Sequence, residues 1–275
     1  MKRTILGLAA TVAFLIGSVA APLVPPAAAG DASPTLDRIM KRKELVVGMT
    51  ADQPPLNMKT KDGKIVGLDA DLARLLAGGM RVKLKIEPMP FKDLLPAVAR
   101  GDVDMVISGV TITPERNMKV AFAGPYFVSG KSILTRSKTL AKLDNIDDIN
   151  DAKFTFTALA GSTSEIFVKE LLTKAKLVAT KDYSSAAELL RSGEADALVA
   201  DLPYCVFAGL RDPEKELDAL SEPLTFEPLG IALPANDPLL MNLVQNVLTT
   251  LEGTGALEKI GERWFDDDSW LDDVP

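Results

Sequence analysis

The chain has 275 residues, 47% of them hydrophobic and 25% charged, with a formal net charge of −7, an ordinary globular composition that accommodates one large domain or two lobes of about 100–130 residues. It contains no histidine and one cysteine, Cys205, which excludes Ser-His-Asp and Cys-His nucleophilic machinery, His-based zinc sites and cysteine-rich metal sites. The acidic balance argues against nucleic acid as a partner, because that affinity rests on basic residues meeting phosphates.

Lys2 and Arg3 form a short basic segment, an apolar run follows from Ile5 to about Val19, and the stretch ends in AAAG with Ala27 and Ala29 at the A-x-A positions. This predicts a signal peptide over residues 1–29, cleaved on export. The alternative is an uncleaved anchor, but a run of about 15 residues is short of the roughly 20 that span a bilayer. No cysteine lies near the cleavage point, so no lipid-anchored start is expected. No second apolar run approaches spanning length, and the mature protein is expected to be soluble outside the inner membrane, without stable membrane insertion.

From Glu44 the pattern alternates strand and helix. ELVVGMT is a β-rich run ending in a polar loop, ADQPPLNMKTKDGK, whose prolines and glycine mark turns. GLDADLARLLAGGM predicts a helix with Leu68, Leu72, Leu75 and Leu76 on one face. VKLKIEPM alternates as a strand, FKDLLPAVARG reads as a helix closed by Gly101, and DMVISGV as a short apolar strand. Such alternation implies an α/β protein with a mostly parallel sheet covered on both faces.

The segment that follows, GVTITPERNM, starts a helix with Thr113 as N-cap and Pro114 at the first helical position. Arg116 then sits where the helix dipole is already positive, which disfavours an exposed cation by about 0.3–1 kcal/mol. An anion between the arginine and the helix end would resolve the conflict. The plainer alternative is an exposed residue paired with Glu115.

GPYFVSGKS, Gly124 to Ser132, imitates a phosphate loop. It has five residues between its glycines where the pattern needs four, and a strand-like SILT follows instead of a helix. A nucleotide site is therefore rejected. Further on, ALAGSTSEIF carries its own anion logic, since Ser162 or Thr163 can cap a helix beginning near Ser164 while the glycine frees backbone N–H groups. Residues 192–201, SGEADALVAD, repeat the pattern of residues 100–109, RGDVDMVISG, each after a helix. The repeat suggests two lobes of similar build, with Gly109 and Asp201 at the ends of equivalent strands. Ligands of open α/β sheets gather beyond the carboxyl ends of strands, so the 108–116 loop, residues 159–164 and Asp201 are expected around one cleft. Cys205 reads as a small buried hydrophobe. The tail WFDDDSWLDDVP reads as a solvated acidic end, with a Ca²⁺ site disfavoured by the missing alternation and glycine of an EF-hand loop.

In order and spacing, GLDADLARLLA, PFKDLLPAVARGDVDMVISGVTITPERNMKVAFAGPY, LAGSTSE, SGEADALVAD and GTGALEKIGERWF resemble the periplasmic solute-binding proteins of polar amino-acid ABC importers, the bacterial extracellular solute-binding proteins of family 3. The resemblance covers about Glu44 to Phe265. It implies two Rossmann-like lobes joined by a two-strand hinge, a periplasmic-binding-protein-like type II fold with the ligand cleft between the lobes. The hinges fall near Pro125–Ser129 and Phe226–Gly230; lobe 1 then comprises 30–127 plus 229–275 and lobe 2 comprises 128–228. It implies that Arg116 clasps the α-carboxylate of an amino-acid ligand and that Asp201 receives the α-ammonium. Ser108, Gly109, Thr111, Thr163 and Ser162 would add backbone or hydroxyl hydrogen bonds, and Phe91 would pack on the ligand side chain. Asp201 capping the helix at Leu202-Pro203, and Phe91 as core, are the plainer readings.

The first loop departs from the family pattern. Thr50 and Gln53 stand where relatives carry an acidic residue and an aromatic, with Asp52 able to take the acidic role if the loop slips. Leu159 and Ala200 replace polar side-chain contacts of glutamine-binding relatives, so the pocket for the ligand side chain is altered. The resemblance further implies a periplasmic monomer without cofactor or metal that delivers its ligand to a membrane permease. Two alternatives share the fold: a cyclohexadienyl or arogenate dehydratase, with Glu165 or Asp52 as the acid, and a ligand-sensing receptor partner.

Overall fold

The computed structural model of the protein describes residues 33–274, apart from 138–139, 141–145 and 213–215. The predicted signal peptide, residues 1–29, lies outside the described residues. After helix α1 (Pro34–Arg42) comes β1 (Glu44–Met49), buried from its second residue onward. The stretch read as a polar loop is instead a small antiparallel meander of β2 (Asp52–Gln53), β3 (Asn57–Lys59) and β4 (Ile65–Val66). Its tight turn at Gly63 is closed by the Gly63 N–H on the Thr60 carbonyl at 2.9 Å.

Helix α2 (Leu68–Met80) buries Leu68, Leu72 and Leu76, one residue per turn. Leu75 is 41% exposed and belongs to the outer face, contrary to the sequence reading. Strand β5 (Lys83–Pro88), helix α3 (Phe91–Arg100), with Gly101 as its left-handed C-cap, and β6 (Met105–Val106) follow as expected. β6 pairs over two residues only, shorter than the apolar run. Gly109, at φ +59, turns the chain away, and a Cβ there would lie 2.7 Å from the Gln53 Oε1 atom.

Strands β7 (Ala121–Ser129), β8 (Lys131–Thr135), β9 (Thr155–Leu159), β10 (Lys176–Thr180), β11 (Ala197–Asp201), β12 (Asp218–Ala219) and β13 (Glu227–Leu233) complete two five-stranded sheets. The first has the order β5-β1-β6-β13-β7 and the second β10-β9-β11-β8-β12. In each, the first three strands are parallel, the fourth is antiparallel to the third, and the fifth antiparallel to the fourth. β6 and β11, which carry the repeated sequence, take the third position of their sheets. Neither sheet closes on itself, and the two-lobed α/β organisation is the one expected.

The chain passes from the first sheet to the second at Gly130. A Cβ at that glycine would meet the Thr225 carbonyl oxygen at 2.3 Å, so only glycine lets the two connecting segments approach. The lobe boundaries expected at 127/128 and 228/229 fall within β7 and β13, which pair with each other from Glu227–Ser129 to Leu233–Ala121.

Among the described residues no helix is long and apolar enough to cross a membrane. The tail is more than a solvated end. Its aspartates are exposed, but Trp264 is buried and donates its indole N–H to Asp71 at 2.9 Å, Trp270 stacks on Phe207, and Val274 is 2% exposed. No group of metal-ligating side chains is found among the described residues.

Candidate functional site

Thr113 caps the short helix α4 (Pro114–Asn117), its hydroxyl accepting the Arg116 N–H at 3.2 Å. The Arg116 guanidinium folds inward rather than into solvent. Nη1 donates to the Thr111 carbonyl at 2.9 Å and Nη2 to the Gly161 carbonyl at 3.1 Å, with the group 5.7 Å from the centre of the Phe91 ring. Glu115 pairs with Lys119 at 2.9 Å, so the exposed Arg116–Glu115 pair is not what forms. Burial pulls the guanidinium below its ordinary value, opposed by the carboxylates of Glu227 and Asp201, which act on it from beyond ion-pair distance. A guanidinium held by two carbonyls is oriented but not neutralised.

Asp201 ends β11 and precedes helix α7 (Leu202–Leu210), yet its side chain makes no cap bond. Oδ1 instead lies 2.6 Å from Lys131 Nζ, and Oδ2 accepts the Gln53 amide Nε2–H at 3.0 Å. Lys131 is itself 2% exposed and has a second carboxylate, Glu227, at 3.5 Å. Glu227 accepts hydroxyls from Thr225 and Thr163, both at 3.0 Å, and the Thr163 hydroxyl lies 3.3 Å from that of Thr111. Burial alone would raise the Glu227 carboxyl, but Lys131 and the threonine hydroxyls outweigh it and hold the group below its ordinary value. Arg116, Thr111, Thr163, Glu227, Lys131, Asp201 and Gln53 thus form one buried polar cluster between the two sheets.

The remaining predicted residues divide. Thr50, Asp52, Phe91 and Leu159 line an adjoining cavity of about 530 Å³ together with Met89 and Lys181. Arg116 lines a separate outer cavity of about 290 Å³ with Lys92 and Lys119, and Asp201 lines neither. The side chains of Gln53 and Lys131 both contact the Asp201 carboxylate. Asp52 accepts the Tyr183 N–H at 3.0 Å, at the start of helix α6 (Tyr183–Ser192), and burial raises its carboxyl above the ordinary value. Ser162 is committed to helix α5 (Thr163–Leu171), accepting the Glu165 N–H and donating to the Leu159 carbonyl at 2.6 Å. The Ser108 hydroxyl accepts the Thr50 N–H at 3.0 Å and the Gly109 N–H donates to Tyr126 at 3.2 Å, so both serve the scaffold.

That scaffold is a buried chain of hydrogen bonds. The Tyr126 hydroxyl donates to Asp69 at 2.7 Å, Asn57 donates to the other Asp69 oxygen at 2.7 Å, and the Asn57 carbonyl oxygen accepts from Thr50 and the Ala51 N–H. It ties the 50–53 loop to Gly109. Burial pushes the Asp69 carboxyl up to about 7.

Sequence reasoning missed Lys131, Glu227 and Asp69. Lys131 lay in view inside the rejected GPYFVSGKS motif, and a lysine opening a wholly buried strand was the available signal. Glu227 lay inside the expected second hinge. Asp69, in the first turn of α2, gives no local sign that it is fully buried.

Residues 45–267 match the family model described as bacterial extracellular solute-binding proteins, family 3. The ABC transporter glutamine-binding protein GlnH of Bacillus subtilis is 28% identical over 238 residues, 85% of each chain. The cyclohexadienyl dehydratase of Pseudomonas aeruginosa is 27% identical, covering 84% of this chain and 86% of its own. Among solved structures, the ancestral amino-acid-binding protein AncCDT-1, described as a precursor of cyclohexadienyl dehydratase, aligns at 38% identity with a TM-score of 0.78 over 84% of this chain and 99% of its own.

Proposed function

The chain belongs to the bacterial extracellular solute-binding proteins of family 3, and from that premise we propose that it binds a small amino acid or amino-acid-like zwitterion between its lobes and delivers it to an ABC-transporter permease. The carboxylate docks on Arg116, the ammonium on Asp201, and the side chain extends toward the 530 Å³ cavity past Phe91 and Leu159. Lobe 1 (30–127 and 229–275) and lobe 2 (128–228) hinge within β7 and β13. The protein works as a monomer in the periplasm after loss of residues 1–29, with no cofactor or metal.

The observation that carries this reading is the buried Arg116 guanidinium, which among the described residues has carbonyls but no carboxylate as direct partners and belongs to a polar cluster drawn from both sheets. A planar carboxylate is the group that completes it with two charge-assisted hydrogen bonds. Calorimetry across the amino acids identifies the ligand. Arg116→Ala then lowers affinity about 100-fold or more, since each hydrogen bond to a charged group contributes about 1.5–3 kcal/mol; unchanged affinity refutes the assignment.

A second reading, a dehydratase acting on a cyclohexadienyl acid, is favoured by one feature: Asp52, an acid with a raised carboxyl on the wall of the larger cavity. Glu165 does not suit the role, because Lys169 and the Gly161 N–H overcome its partial burial and keep its carboxyl low. Incubation with prephenate or arogenate, read by product absorbance, separates the two; no turnover leaves the binding protein.

A further inference from the structure

The proposed site carries an ammonium group of its own. Lys131 Nζ sits 2.6 Å from Asp201 Oδ1, and the Gln53 amide donates to Oδ2 at 3.0 Å. A carboxylate offers about four lone-pair positions, and both oxygens of this one already receive donors from the chain. Arg116 is in the opposite condition: two of its five N–H donors go to carbonyls, and it has no direct carboxylate partner among the described residues.

We infer that Lys131 sets the ligand specificity of this site: by holding Asp201 from within, it makes a carboxylate the obligatory group of the ligand and an α-ammonium an optional one. The ligand class therefore includes small organic acids as well as amino acids. The inference rests on the reading of Arg116 and Asp201 as the clamp. A site built around a ligand N–H rejects the analogue lacking it by about ten-thousand-fold or more, because the site's own buried partner is then left unpaired. Here the loss of the ammonium leaves Asp201 with Lys131 and Gln53, so no carboxylate is orphaned. A ligand ammonium that does arrive shares Asp201 with Lys131 against like-charge repulsion. Glu227, 3.5 Å from Nζ, is the second partner toward which the lysine can yield.

The test is calorimetry on the mature chain with matched pairs differing only in the α-ammonium: L-arginine and δ-guanidinovalerate, L-lysine and ε-aminocaproate, L-glutamine and glutaramate. In the wild type the acid of the best-binding pair binds within about 30-fold of its amino acid. Lys131→Met widens that gap by about tenfold or more; if the single variant does not fold, Lys131→Met with Glu227→Gln removes the orphaned charge and gives the same readout. A wild-type gap of about ten-thousand-fold, or a gap no wider in the lysine variant, overturns the inference. Affinity unchanged by Arg116→Ala, or no heat from any pair, overturns instead the clamp reading beneath it.

Discussion

Asp69 makes the stability of this fold fall as pH rises toward neutrality, the reverse of the usual carboxylate effect. Its carboxyl titrates at about 7 in the folded protein against an ordinary 3.8, chiefly because it is fully buried, with the Tyr126 and Asn57 hydrogen bonds only partly offsetting that. A folded value above the unfolded one means that the native state holds the proton over this interval. Stability is then greatest below about pH 4 and declines up to about pH 7. At about 1.4 kcal/mol per pH unit, the interval is worth about 4 kcal/mol. Carboxylates whose values are lowered, such as Glu227, Asp182 and Glu165, change stability below their ordinary values, so they do not mask the window from about pH 5 to about pH 7. Asp52, also raised, adds a slope of the same sign. The assay is urea unfolding followed by tryptophan fluorescence at several pH values across the window, for the wild type and Asp69→Asn. The wild type loses stability with rising pH, while the variant loses most of the slope and is weaker at low pH, where its amide cannot satisfy Tyr126 and Asn57 as the protonated acid does. Equal slopes in the two proteins refute the reasoning.

Two further outcomes follow from packing. Gly130→Ala forces the crossing segments apart at the Thr225 carbonyl and costs about 1–3 kcal/mol by overpacking; an unchanged melting temperature contradicts the close approach. Burial pushes the Cys205 thiol up to about 12, so a thiol reagent near neutral pH labels it only after denaturant is added, and rapid labelling of the native protein contradicts its placement.

The alternation of strands and helices was readable because apolar periodicity and glycine caps are local signals, as at α2 and α3. The repeat of 100–109 in 192–201 was readable for the same reason, and it places β6 and β11 at matching positions in two sheets of the same plan. The meander at 52–66 was not readable, since its strands are two or three residues long and are held by turn geometry. Leu75 misled because one extra leucine in a helix satisfies the periodicity without being needed by the core. At the site, Arg116 gave itself away by conflict with the helix dipole. Lys131, Glu227 and Gln53 find their partners 70, 64 and 148 positions along the chain, and no window of sequence contains such a pairing.

Several of the contacts that join the two lobes also build the proposed site. Gln53 reaches Asp201, Asp52 receives the Tyr183 N–H, Arg116 reaches the Gly161 carbonyl, and Thr111 meets Thr163. On the proposed reading, a ligand moves the hinge only by the difference between its affinities for open and closed forms. In the arrangement seen, Asp201 already has an internal ammonium and an internal amide, so that carboxylate needs no ligand in order to be buried. Among the described residues of the cluster, the Arg116 guanidinium is the charged group without a counter-charge in direct contact. The differential affinity that drives closure is therefore concentrated on the carboxylate–Arg116 contact, and a ligand's remaining groups discriminate among carboxylates already held there.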